Sequence, residues 1–233
     1  MKRNALRGSW PFKFALVACV QFVVLTAIAM PLYPGGSFAD PTSTRYSFFN
    51  NFLSELGMTV TSGGYPNIPS TVLFVITLTW AGLGLVVFFV AAPQFFRRHR
   101  LAFILSIVGT IFGVISGLSY VGVAFTPANL LEEAHYHFVL TAFRAFLVVV
   151  IFYSAAILAD KDYPDGYSLA YIGFAVLLGA YIWLMTRGPG FDTPEGVMIQ
   201  ATGQKVIVYA AIVCTFVQSY GALRLKNLEV GGE

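Results

Sequence analysis

The chain has 233 residues, of which 57% are apolar and only 11% charged, against about 25% charged in a soluble domain. That balance, with a strongly positive mean hydropathy, excludes a separate soluble domain and describes an integral membrane protein. The formal charge of +3 reflects how the loops are oriented and gives no reason to expect a nucleic-acid partner.

Six apolar runs are each near the length needed to cross a bilayer as a helix: 14–33, 71–92, 101–125, 135–159, 167–185 and 198–223. Backbone groups must bond within their own segment in lipid, and alternating strand patterning is absent, so the fold class is all-α, a six-helix bundle forming one membrane domain. Lys2, Arg3, Arg7, Lys13, Arg97, Arg98, Arg100, Lys161, Arg224 and Lys226 fall on one side, and only Arg45 and Arg187 on the other. The excess of positive residues puts both termini in the cytoplasm and the protein, multi-pass, in the cell (inner) membrane. Ala27-Ile28-Ala29 resembles a signal-peptide cleavage site, but about twenty apolar residues are long for a signal core, so the segment reads as a span.

The loop after the first span is the longest. Within it TRYSFFNNFLSELG reads as a short amphipathic helix, capped by Thr42, Ser43 or Thr44 and ended by Gly57. Phe49, Phe52, Leu53 and Leu56 form its apolar face, and Ser47, Asn51, Ser54 and Glu55 lie largely opposite. Such a helix either lies on the outer surface or tucks over the bundle mouth. The second span ends in Pro93 and FFRRHR, where His99 among arginines reads as a solvated or headgroup-facing residue. In the third span, Gly109, Gly113 and Gly117 repeat small-xxx-small, a close-packing face for a neighbouring helix. Farther along it Ser116, Ser119 and Tyr120 share a polar face. The fifth span carries no charge, and Cys19 and Cys214 read as small buried hydrophobes.

The fourth span opens EEAHYHFVLTAFRAF. Glu133, His137, Thr141 and Arg144 are spaced four, four and three, so they share one helical face. Arg144 lies about ten residues into the apolar run, roughly 15 Å at helical rise, near the middle of a core about 30 Å thick. An arginine there costs about 2.5–3.5 kcal/mol on insertion scales unless partnered. The sixth span adds Gln200, Gln204 and Lys205 in its outer half, with Tyr209 one turn on.

These residues suggest an outward-opening polar pocket, with Arg144 at its floor and Lys205 beside it. His137, His135, Gln204, Tyr120 and Ser119 would donate hydrogen bonds, and Asn51, Ser54 and Glu55 would descend from above. Its natural guest is a lipid or amphiphile, the anionic headgroup held by the arginine fork. A purely structural role is the competing reading, with Arg144 paired to Glu133, Glu55 or backbone carbonyls and Lys205 snorkelling. A Ser-His-acid hydrolase or transferase could draw on Ser54 or Ser116, His137, and Glu55 or Glu133, although no nucleophile elbow supports it. His135 and His137 point about 200° apart on a helix, so no multi-histidine metal site and no cofactor is expected, although one histidine with Glu132 or Glu133 is a conceivable pair of ligands. A transporter is the third reading, against which no internal repeat is visible. Membrane lipids are the expected partners, and assembly into an oligomer is compatible with all of these.

At NNFLSELG (Asn50–Gly57) and GVAFTPANLLEEAH (Gly122–His135) the chain resembles a family of uncharacterised prokaryotic membrane proteins, itself similar to the Frag1/DRAM/Sfk1 group of six-span proteins linked to lipid handling. Asn51, Ser54, Glu55, Gly57, Pro127 and His135 match the family's pattern, while Asn129 stands where it prefers Asp. The resemblance implies a six-helix fold with a lipid-side site and supplies no reaction. A looser similarity, to the ceramidase and progestin-receptor superfamily of zinc hydrolases, departs in histidine count and lacks one span.

Overall fold

The computed structural model describes residues 8–231. Its six long helices are α1 (Trp10–Leu32), α2 (Ile68–Ala91), α3 (Arg100–Ala124), α4 (Glu132–Ala159), α5 (Gly166–Arg187) and α6 (Pro194–Gly231). Each is long and apolar enough to cross a membrane, so the chain is an all-α, multi-pass membrane protein. Every helix packs on its neighbours in sequence, and α6 returns to pack on α1. The six therefore close into a ring.

Lipid tails are as apolar as leucine, so water exclusion does not hold such helices together, and close contact must. The α2–α3 crossing shows how. A Cβ built on Gly82 would stand 2.5 Å from the Gly117 carbonyl oxygen, and one on Gly117 would stand 2.6 Å from that of Gly82. Only glycine at both positions lets the two backbones touch. The glycine stripe read from the sequence thus serves packing: Gly113 lies against the Phe89 ring and Gly109 against Tyr153. Isoleucines 104, 107, 111 and 115 of α3 face outward, as a lipid-exposed stripe should.

The end of the ring farther from loop 33–67 is filled by aromatic rings, among them Phe89, Phe96, Phe146, Tyr153, Tyr163 and Phe174. Phe96 and Tyr163 stack at 5.2 Å, tying the α2–α3 turn to the α4–α5 turn. At the opposite end, loop 33–67 caps the ring. The helix expected there is present but contracted to one 3-10 turn, Leu53–Gly57. Upstream, the Asn51 side chain accepts the Ser47 N–H at 2.8 Å, and side-chain bonds of this kind compete with helix formation. The turn is tucked into the mouth, with Leu53, Leu56 and Glu55 all buried. Gly57 sits flat under Phe74 of α2, where a Cβ would meet the ring at 2.3 Å.

Candidate functional site

The cap is fastened to the bundle by polar groups that are almost wholly buried. The Asn51 Nδ2 group donates to the Gly36 carbonyl at 2.8 Å and to Glu55 Oε2 at 2.9 Å. The other Glu55 oxygen accepts the Phe52 N–H at 2.6 Å, and Tyr33 reaches Oε2 at 3.5 Å. From α6, Gln204 accepts the Leu53 N–H at 2.7 Å. Beside it the Lys205 ammonium donates to the Asn51 carbonyl and to its own helix at Ala201, 3.4 Å away. Rings of Tyr46 and Phe48 flank that ammonium at 5.5 and 5.4 Å, a cation–π setting. Lys205 is 1% exposed and Glu55 1%.

Glu55 lies in the cap, outside the spans. Burial pushes its pKa from 4.5 up to about 7, against the opposing pull of the Phe52 N–H, Asn51 and Lys205. Two further contacts hold the cap down. Asn67 donates to the Leu56 and Met58 carbonyls at 3.2 and 2.8 Å, and Asn129, from the α3–α4 turn, accepts the Thr59 N–H at 3.0 Å.

Directly beneath the cap the helices leave a partly open chamber of about 70 Å³. Its walls come from α1, α2, α3, α4 and α6, including Phe22, Leu78, Val123, Val139, Phe143 and Val208. The few polar side chains on its surface are Ser54, Tyr120, Gln204 and Thr215. An apolar space of this kind stays dry and favours hydrocarbon.

This arrangement corrects the expected pocket in several respects. The space is apolar, and Arg144 is not at its floor. Glu133, His137, Thr141 and Arg144 do share a face, but all four are exposed on the outside of the ring. The inward face of α4 is instead Ala142, Phe143, Ala145, Phe146, Val149, Val150 and Tyr153. Arg144 has no ion pair among the described residues, and the acidic group nearest His137 there is Glu133, at 3.7 Å, with the His137 side chain 70% exposed. Arg144 and His137 therefore lie on the outer surface of the ring, while Lys205 is buried against the cap.

The serine–histidine grouping is not assembled either. Ser116 donates to the Ala142 carbonyl at 3.0 Å, joining α3 to α4, and Ser119 bonds back to Ile115 at 2.8 Å. Ser54 lines the chamber, and Glu55 is committed to the cap. His135 is buried with Nδ1 2.6 Å from the Thr126 carbonyl, an arrangement that fastens the α3–α4 turn and faces neither His137 nor a glutamate ligand. Lys205, Gln204, Asn51 and Glu55 do come together, as parts of a closure.

Sequence reasoning passed over Tyr33, Tyr46 and Asn67, and noted Asn129 only as a departure from a family pattern; all four hold the cap. For Asn67 a signal existed: an asparagine just before a proline-opened helix commonly bonds local backbone. No protein-family model, curated protein or solved structure matches the chain.

Proposed function

We propose that this membrane protein takes the end of an apolar chain, the tail of a lipid or similar amphiphile, into the chamber beneath the cap, without catalysis. The observation that carries this reading is the hollow itself: it is lined by five of the six helices and by the cap, its surface is almost wholly hydrocarbon, it is partly open, and most of the cap's polar groups bond to one another, leaving Ser54 and Gln204 at its edge. Its volume of about 70 Å³ suits the last few methylenes of a chain. The amphiphile's headgroup then belongs at the rim, near Ser54 and Gln204, and Arg144 has no part in holding it.

The test is photolabelling in proteoliposomes with a phospholipid carrying a diazirine near the end of one acyl chain, followed by peptide mapping. Label on Val139, Phe143 or Val208 is expected, and Val208→Phe should lower it about tenfold, as a loss of about 1.4 kcal/mol would. Label confined to outward residues such as Ile111 and Val176 would refute the reading.

A further inference from the structure

At the end of the ring away from the cap, two turns meet. His99 precedes α3, and Asp160 and Asp162 follow α4. Asp160 is 2% exposed. Its Oδ1 accepts the Asp162 N–H at 2.9 Å, which shapes the turn and brings the two carboxylates close together. Its Oδ2 is buried with no hydrogen-bond partner. A carboxylate oxygen removed from water and left without a donor is costly, so something of positive charge or a proton donor belongs beside it.

His99 does not fill that need by hydrogen bonding. Its Nε2 stands 3.8 Å from Asp160 Oδ1, beyond hydrogen-bond range. One ligand atom from each of His99, Asp160 and Asp162 lies within 4.8 Å of the others. Two ligands on one zinc ion, each about 2.1 Å from it at a tetrahedral angle, stand roughly 3.4 Å apart. The spacing therefore needs only a small contraction of two surface turns.

The geometry points to a divalent transition-metal site formed by His99, Asp160 and Asp162, with water completing the shell on the open side. One imidazole and two carboxylates favour an ion of the zinc or manganese class, since the nitrogen ligand argues against calcium or magnesium and the lack of thiolate against copper(I). Two carboxylates and a neutral imidazole balance a doubly charged ion. Arg98, now 3.7 Å from Asp162, competes with it and is displaced on binding. The metal would staple the α2–α3 turn to the α4–α5 turn, beside the Phe96–Tyr163 stack.

The test uses the full chain, purified in detergent without a histidine tag and stripped with chelator, then titrated calorimetrically with zinc chloride. One ion per chain is expected. Asp160→Asn and His99→Ala should each weaken binding at least about tenfold, and Arg98→Gln should tighten it. Zinc should also raise the thermal midpoint of the parent and leave that of His99→Ala unmoved. Should Asp160→Asn fail to fold, His99→Ala and the exposed Asp162→Ala carry the test. Absence of stoichiometric binding, or binding indifferent to these substitutions, would overturn the site.

Discussion

The ammonium of Lys205 rests on the main-chain carbonyl of Asn51, 154 positions earlier in the chain. That bond joins α6 to the cap; Gln204 adds a second from the adjacent position and Thr202 a third, to the Phe49 carbonyl at 3.4 Å. Lys205→Met keeps the side chain's length and removes its charge. The Asn51 carbonyl is then left with Tyr46 at 3.4 Å, and Glu55 loses its neighbouring positive charge. Cap stability should fall by about 1–3 kcal/mol, read as faster hydrogen exchange of amides 51–58, with the transmembrane amides unchanged.

Acidity should tighten the cap. Glu55 has its pKa raised from 4.5 to about 7, so the capped state prefers its protonated form. The resulting stabilisation is fully present below about 4.5, declines as pH rises between the two values, and is gone above about 7. Over that window it is on the order of 3 kcal/mol. Exchange of the cap amides at pH 5 and pH 8 measures it, and Glu55→Gln should hold the cap closed at both.

Glycine positions divide cleanly. Gly117→Ala places a methyl 2.6 Å from the Gly82 carbonyl oxygen, so the α2–α3 crossing must part, at a cost of about 1–3 kcal/mol. Gly173→Ala and Gly179→Ala meet nothing within 4 Å and should be neutral to slightly stabilising, by up to about 1 kcal/mol from helix propensity. Reversible unfolding in mixed micelles would rank the three.

Arg144→Leu removes a charge from the outside of the ring, about 18 Å along α4 from Glu132 at helical rise. Insertion of α4 should become more favourable by about 2.5–3.5 kcal/mol, measured by a glycosylation-reporter insertion assay. Acyl-chain photolabelling in the chamber should not change, because Arg144 has no access to it.

The spans were legible because length and hydropathy decide them almost alone. Periodicity also grouped Glu133, His137, Thr141 and Arg144 correctly, but it reports which residues share a face and not where that face turns. Here the opposite face holds Phe143, Phe146 and Tyr153, whose rings fit against Tyr181, Phe174 and Phe89. That fit, invisible without the partners, sends the polar stripe outward. Lys205 is buried by the cap instead, under Asn51, Tyr46 and Phe48, which lie 154 or more positions earlier in the chain. The cap's bonds lie between residues far apart in sequence, such as Asn129 and Thr59, so no local pattern could announce them.

Because α6 is the segment that lies against α1 and also holds the cap, the enclosure has no final shape until the last span has been synthesised. While α1 to α5 wait in the bilayer, the ring gapes along one side, and the Asn51 carbonyl has no ammonium to receive. Arrival of α6 shuts the wall and latches the cover in one event, so a ribosome that stalls before Gln204 leaves an open trough instead of a smaller version of the same vessel.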